Sequence, residues 1–167
     1  AEGNPYPLNP YLNLIGLSVN FLIMNFVGFY FYLAYNIYGY IYTTSNYHGE
    51  THLEDVIFAA HAIFWVSIQL VQYYYYPKGS NKINWYWVGF TTAVCIMVIA
   101  VGFGLGGENS VFYWMGIGKV IITFVKYTPQ VYLNWKRKST FGWSIHNILL
   151  DFTGGTLSFV QIFLDWI

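Results

Sequence analysis

The chain has 167 residues, 56% of them hydrophobic and only 8% charged, with seven Lys and Arg balancing seven Asp and Glu. Soluble domains carry about 25% charged residues, so a chain this apolar, with a mean hydropathy of +0.43, cannot cover itself with polar surface in water. Its longest basic run, Lys136 to Lys138, is too short to give nucleic acid a distributed positive face. The single cysteine, Cys95, excludes an intrachain disulfide and sits in an apolar run, where packing is its expected role.

Residues 1–15 show neither a basic n-region nor a cleavage pattern, and no signal peptide is expected there. Beyond them, five stretches are long enough to cross a hydrocarbon core of about 30 Å as helices, near 16–42, 56–76, 84–106, 109–134 and 142–164. Aromatic residues gather at their ends, as in Tyr73 to Tyr76, Trp85, Trp87 and Trp135, where amphipathic rings prefer the headgroup zone. The expected fold class is an all-α membrane protein of five spans.

Outside the spans, Lys78, Lys82, Lys136, Arg137 and Lys138 fall in two loops that alternate onto one side. Glu50, Glu54, Asp55 and Glu108 fall on the other, so the positive-inside rule assigns the Lys/Arg side, with residues 1–15, to the cytosol. The first and fifth spans also match each other at one offset of 126 residues: Gly16 and Ser18 with Gly142 and Ser144, Asn25 with Asp151, Gly28 with Gly154. The matched positions are polar or glycine rather than generic aliphatics, which favours duplication. An even number of spans separates the copies, so the repeat is parallel, an arrangement that places transporter sites at the repeat interface.

Counted at about 1.5 Å per residue from the Lys/Arg end, Asn25 and Asp151 lie roughly 13 Å deep, and Lys119, counted from the opposite end, about 15 Å. Three polar groups on three helices thus meet near the midplane. Ionisable groups there must face partners or water rather than lipid, which makes a polar solute site the expectation and a structural Lys119–Asp151 ion pair the alternative. Lys126 follows Lys119 by seven positions on the same helix face, nearer the cytosolic end, where snorkelling would also account for it. Asn147 lies one turn before Asp151, and either orients a ligand or bonds helix to helix. Pro129 removes a backbone bond to Val125 and is a candidate hinge, with Gln130 adding a polar group beside it. Asp55 opens the second span and His61 lies within it. Either group is placed to titrate with the far compartment, although Asp55 also suits a helix N-terminus. His48, Glu50 and His52 lack a third firm ligand and read as a solvated loop. No catalytic constellation, cofactor or metal site is expected.

The residues from Lys126 through Pro129, Gln130, Asn134, Gly142, Ser144, Asn147 and Asp151 to Gly154 and Gly155 strongly resemble the second PQ-loop motif of the cystinosins. The resemblance extends to Gly16, Ser18, Asn25, Gly28, Tyr32, Asn36, Asp55, His61 and Gln72, most of the chain beyond residue 15. It implies a SWEET-like bundle of two parallel three-helix repeats joined by a linker helix. Residues 1–15 would be a cytosolic segment, 16–76 the rest of the first repeat, 84–106 the linker, and 109–167 the second repeat. It implies proton-coupled export of L-cystine across a lysosomal or vacuolar membrane rather than enzymatic activity. Asn25, Lys119, Lys126, Gln130, Asn147 and Asp151 would contact the solute, with Asp151 the leading proton carrier and Asp55 a secondary one. Against the family pattern, Gly3 and Asn4 stand where a first Pro-Gln pair belongs, and Asn20 where an aspartate is common. The five spans correspond to the second through sixth of seven, so a piece of a longer protein is expected. A peptide-sorting receptor and a SWEET-like sugar carrier on the same fold are the competing readings.

Overall fold

A computed structural model describes residues 14–43, 51–78 and 81–165. The N-terminal segment, apart from its last two residues, lies outside this range, as do His48 and Glu50. Among the described residues six helices follow in order: α1 (Val19–Thr43), α2 (Leu53–Tyr75), α3 (Trp85–Gly106), α4 (Glu108–Val125), α5 (Thr128–Arg137) and α6 (Ile145–Asp165). Among the described residues there is no strand.

Local chemistry sets the ends of these helices. At the start of α2 the Asp55 carboxylate accepts from the His52 backbone N–H at 3.1 Å. At the start of α3 the Asn84 side chain accepts from the Tyr86 N–H at 3.0 Å. Both satisfy donors that a first helical turn leaves free. Pro129 has no N–H to offer Val125, and the fourth expected span duly breaks at Lys126 and Tyr127 into α4 and α5, with the proline in the first turn of α5. Both intervening residues keep right-handed helical dihedrals, so the chain passes the break without unwinding.

Among the described residues three helices, α1, α2 and α3, are by length and composition apolar enough to cross a membrane. The fourth and fifth expected spans are helical as well, as α4 with α5 and as α6, but are more polar. Lys119 and two glycines dilute α4, and His146, Asn147, Asp151 and the Gly154–Gly155 pair dilute α6. Several of these same residues line the cavity described below.

The core lies among α1, α3 and α4, where Met24, Phe31, Val94, Val98 and Ile122 form one buried cluster. Small residues let the backbones close in: a Cβ at Gly102 would lie 2.6 Å from the Val111 Cα, and one at Gly118 2.7 Å from Val98. By contrast α6 presents Leu149, Leu150, Phe152, Leu157 and Phe159 as exposed side chains. Its attachments to the rest of the bundle are few and polar or glycine-mediated.

One of these attachments joins the two segments that sequence matching relates. Gly16 and Gly142 touch backbone to backbone, so that a Cβ on Gly16 would fall 2.4 Å from both the Gly142 carbonyl carbon and the Phe141 oxygen. Gly142 adopts φ +84°, a conformation that suits glycine. The turn at Leu14–Ser18 is gripped from two further directions. Fully buried Gln130 donates to the Gly16 carbonyl at 2.7 Å and accepts from the Ser18 N–H at 2.7 Å. From the α2–α3 connection, Asn81 donates to the carbonyls of Leu14, at 3.2 Å, and of Leu17. The Pro77 carbonyl accepts from the Leu14 N–H at 3.0 Å. The segments bearing Lys78, Lys82 and Lys136 to Lys138 therefore converge on one end of the bundle, as their common charge suggested.

A charged cavity between α1, α4 and α6

At the helix break, Lys126 turns its side chain inward and is only 8% exposed. Its ammonium donates to Asn25 Oδ1 at 3.2 Å and to Asp151 Oδ2 at 3.2 Å. These two acceptors are the 126-offset counterparts of one another, so one cation is held between matching positions of the two copies. The Tyr127 hydroxyl also donates to Asp151 Oδ2. Phe29 and Tyr127 present ring faces to the Lys126 ammonium at 5.8 and 4.9 Å, adding cation–π attraction.

The sequence offered a Lys119–Asp151 ion pair as the alternative to a solute site and set Lys126 nearer the cytosolic end. In the structure Lys126 takes the carboxylate, and this is the one ion pair among the described residues. The reason is reach. A lysine side chain extends several ångströms from its Cα, so depth counted along a helix axis misplaces its charge by about a turn. Lys119 instead rests its ammonium 4.7 Å over the Tyr32 ring, with no carboxylate in ion-pair range among the described residues.

Around these groups lies a cavity of about 670 Å3 whose wall includes Asn25, Tyr32, Phe58, Lys119, Lys126 and Asp151. That volume falls within the range of roughly 300 to 1,000 Å3 typical of small-molecule sites. Gly154, Gly155 and Ser158 of α6 keep one wall low. The cavity offers one cation without a carboxylate partner, one cation paired with a carboxylate, and an amide. Such a set can receive carboxylates at Lys119 and Lys126, and ammonium groups at Asp151 once Lys126 is drawn away.

Of the candidate residues, Asn25, Lys119, Lys126 and Asp151 come together. Gln130 does not join them: both ends of its amide are occupied by Gly16, Ser18 and Asn134, and it lies outside the cavity wall. Asn147 lies exposed in the first turn of α6, its N–H donating to the Ser144 carbonyl, and is not part of the cavity wall. Asp55 fills the helix N-terminal position and also faces the Tyr32 hydroxyl, which places it next to the cavity wall through one side chain. Pro129 is buried at the break where a hinge was expected. Sequence reasoning missed Tyr127 and Asn81. Tyr127 is one of 17 tyrosines, and only its adjacency to Lys126 distinguishes it. Asn81 sits in a polar loop with no periodicity to mark it.

Comparison with known proteins agrees with this architecture. Residues 111–165 match the PQ loop repeat family. The chain is 36% identical to a cystinosin homolog of Dictyostelium discoideum over 92% of its length and 58% of the relative's. It is 37% identical to cystinosin of Drosophila melanogaster, covering 91% of the chain and 43% of the relative. Against cystinosin of Bos taurus the identity is 35%, with 92% and 45% covered. The chain thus spans about half the length of these relatives.

Proposed function

We propose that this chain, an integral membrane protein of the PQ-loop family similar to cystinosins over nine-tenths of its length, belongs to a transporter that moves L-cystine together with protons. The observation that carries the reading is the charge arrangement around Lys126. Cystine has two carboxylates and two ammonium groups. The cavity supplies two ammoniums, a carboxylate and an amide, none of which lipid offers.

The Lys126–Asp151 pair also supplies a coupling logic. While Asp151 is ionised it holds Lys126, and the cavity has one cation without a carboxylate partner, Lys119. A proton arriving at Asp151 cancels that hold and frees Lys126 for a solute carboxylate, so that both ends of a dicarboxylic solute find a cation. Loss of the proton on the opposite side restores the internal ion pair, which then competes the solute off. Alternating access would proceed by rocking the two copies about the Gly16–Gly142 contact and the helix break beside Pro129, between states of which the solute favours one. Proton entry from an acidic lumen gives export from a lysosome or vacuole to the cytosol, with Asp55 beside Tyr32 as a secondary proton site. Gln130 and Asn147 enter this scheme through the geometry of the bundle end and the first turn of α6.

A sugar carrier has no use for this set of charges. Equilibrium binding of radiolabelled L-cystine to the purified full-length protein, with competition by unlabelled cystine, glucose and a short peptide, separates the readings. Cystine alone should compete, and Lys119→Ala and Lys126→Ala should each weaken binding at least tenfold. Displacement by glucose, or by the peptide but not by cystine, would reject the assignment.

A further inference from the structure

Lys119 borders a second hollow. It measures about 230 Å3, lies between α1 and α4, and is walled by Tyr32, Tyr35, Tyr113, Gly116 and Val120 together with Lys119. Tyr35 lies one turn beyond Tyr32 on α1, and Tyr113 and Gly116 precede Lys119 on α4. The hollow is therefore on the side of Lys119 away from Lys126, toward the end of the bundle where α2 begins with Glu54 and Asp55.

Tyr32 and Lys119 wall both this hollow and the main cavity, and the ammonium rests on the ring at 4.7 Å. The pair forms the partition between the two spaces. A volume of 230 Å3 is below the roughly 300 Å3 at which pockets enclose a whole ligand, so the hollow accommodates one end of a solute. The group that suits it is an anion: Lys119 is the one charged residue in its wall, no carboxylate among the described residues is in ion-pair range of that lysine, and aromatic and aliphatic walls keep the local dielectric low. A cation–π contact is weaker than a desolvated ion pair, so an arriving carboxylate can draw the ammonium from the ring and open the partition.

We propose that this hollow is an entry subsite, where Lys119 takes one carboxylate of the solute before the solute passes Tyr32 into the main cavity. The inference rests on the transport reading above and adds a route to it. It is tested in the full-length protein with two substitutions that fill the hollow and leave the main cavity alone. Val120→Trp starts from a 47% exposed position. Gly116→Leu adds bulk where a Cβ already meets the Tyr35 ring at 3.1 Å. Uptake of radiolabelled cystine from that side into proteoliposomes should slow at least fivefold in each. Equilibrium affinity for cystine in detergent should stay within twofold of the parent. Undiminished uptake by Val120→Trp overturns the subsite, and so does a loss of affinity as large as the loss of rate, since the filling then acts on the main cavity. Absence of both binding and uptake in the parent protein overturns the transport reading itself, and the subsite with it.

Discussion

Replacing Gln130 with alanine tests whether this residue clasps the bundle or touches the solute. Its side chain, fully buried, closes on two backbone groups of another helix's entry turn: the Ser18 N–H and the Gly16 carbonyl, each at 2.7 Å. Ser18 is itself 2% exposed, so after truncation its N–H has no protein partner and little water. Leaving a buried polar group unpaired costs about 1–3 kcal/mol, so the two groups together give a loss of about 2–6 kcal/mol, toward the lower end where water enters the space vacated. Asn134→Ala is the internal control. It removes the 3.2 Å bond between the same Gln130 amide and the Asn134 side chain but strands no backbone group, and should cost about 0.5–1.5 kcal/mol. Unfolding of the full-length protein in detergent, followed by tryptophan fluorescence, gives both values, and cystine affinity is measured on the same samples. Gln130→Ala should be clearly less stable than Asn134→Ala while binding cystine within about threefold of the parent, since a residue outside the cavity wall costs about 0.6 kcal/mol or less in affinity. Equal stability of the two variants, or a tenfold loss of affinity in Gln130→Ala with stability retained, would refute the reasoning.

Gly16→Ala forces a Cβ to within 2.4 Å of the Gly142 and Phe141 backbone, so the base of α6 must shift. Hydrogen exchange at 141–145 should rise, and unchanged protection would contradict the contact. Asn81→Ala strands the Leu14 and Leu17 carbonyls it serves and should lower stability by about 1–3 kcal/mol with little effect on solute affinity. A reduction in affinity matching the loss of stability would place Asn81 in the site instead. Lys126→Met should lose binding as fully as the Lys126→Met, Asp151→Asn double variant. Recovery in the double variant would mean that the ion pair is structural alone, because relieving an unpaired Asp151 would then restore function.

Much of this architecture is legible in the sequence, for identifiable reasons. Span length and aromatic belts follow from bilayer thickness, and the break between α4 and α5 follows from the missing N–H of Pro129. The offset match singles out Gly16 with Gly142, which touch, and Asn25 with Asp151, which share Lys126, because a glycine or polar residue inside an apolar run has few reasons to recur. What the sequence hides is the direction in which a long side chain reaches. Lys126 and Lys119 are seven residues apart on one helix face, and only the packed structure shows that the former takes Asp151 while the latter lies on Tyr32. Periodicity is equally silent about Gln130. A buried amide that clasps a distant turn and a buried amide that holds a solute look alike in a one-dimensional pattern. Asn147 shares a helical stripe with Asp151, yet its place at the exposed start of α6 keeps it from the cavity wall.

The coupling between Asp151 and the solute is the centre of the account, and flux under an imposed proton gradient measures it most directly. Full-length protein in proteoliposomes should take up radiolabelled cystine faster when the side bearing the solute is acidified, and Asp151→Asn should abolish that acceleration while still binding cystine. Uptake that ignores the gradient in the parent protein, or pH-driven uptake that survives Asp151→Asn, would contradict it.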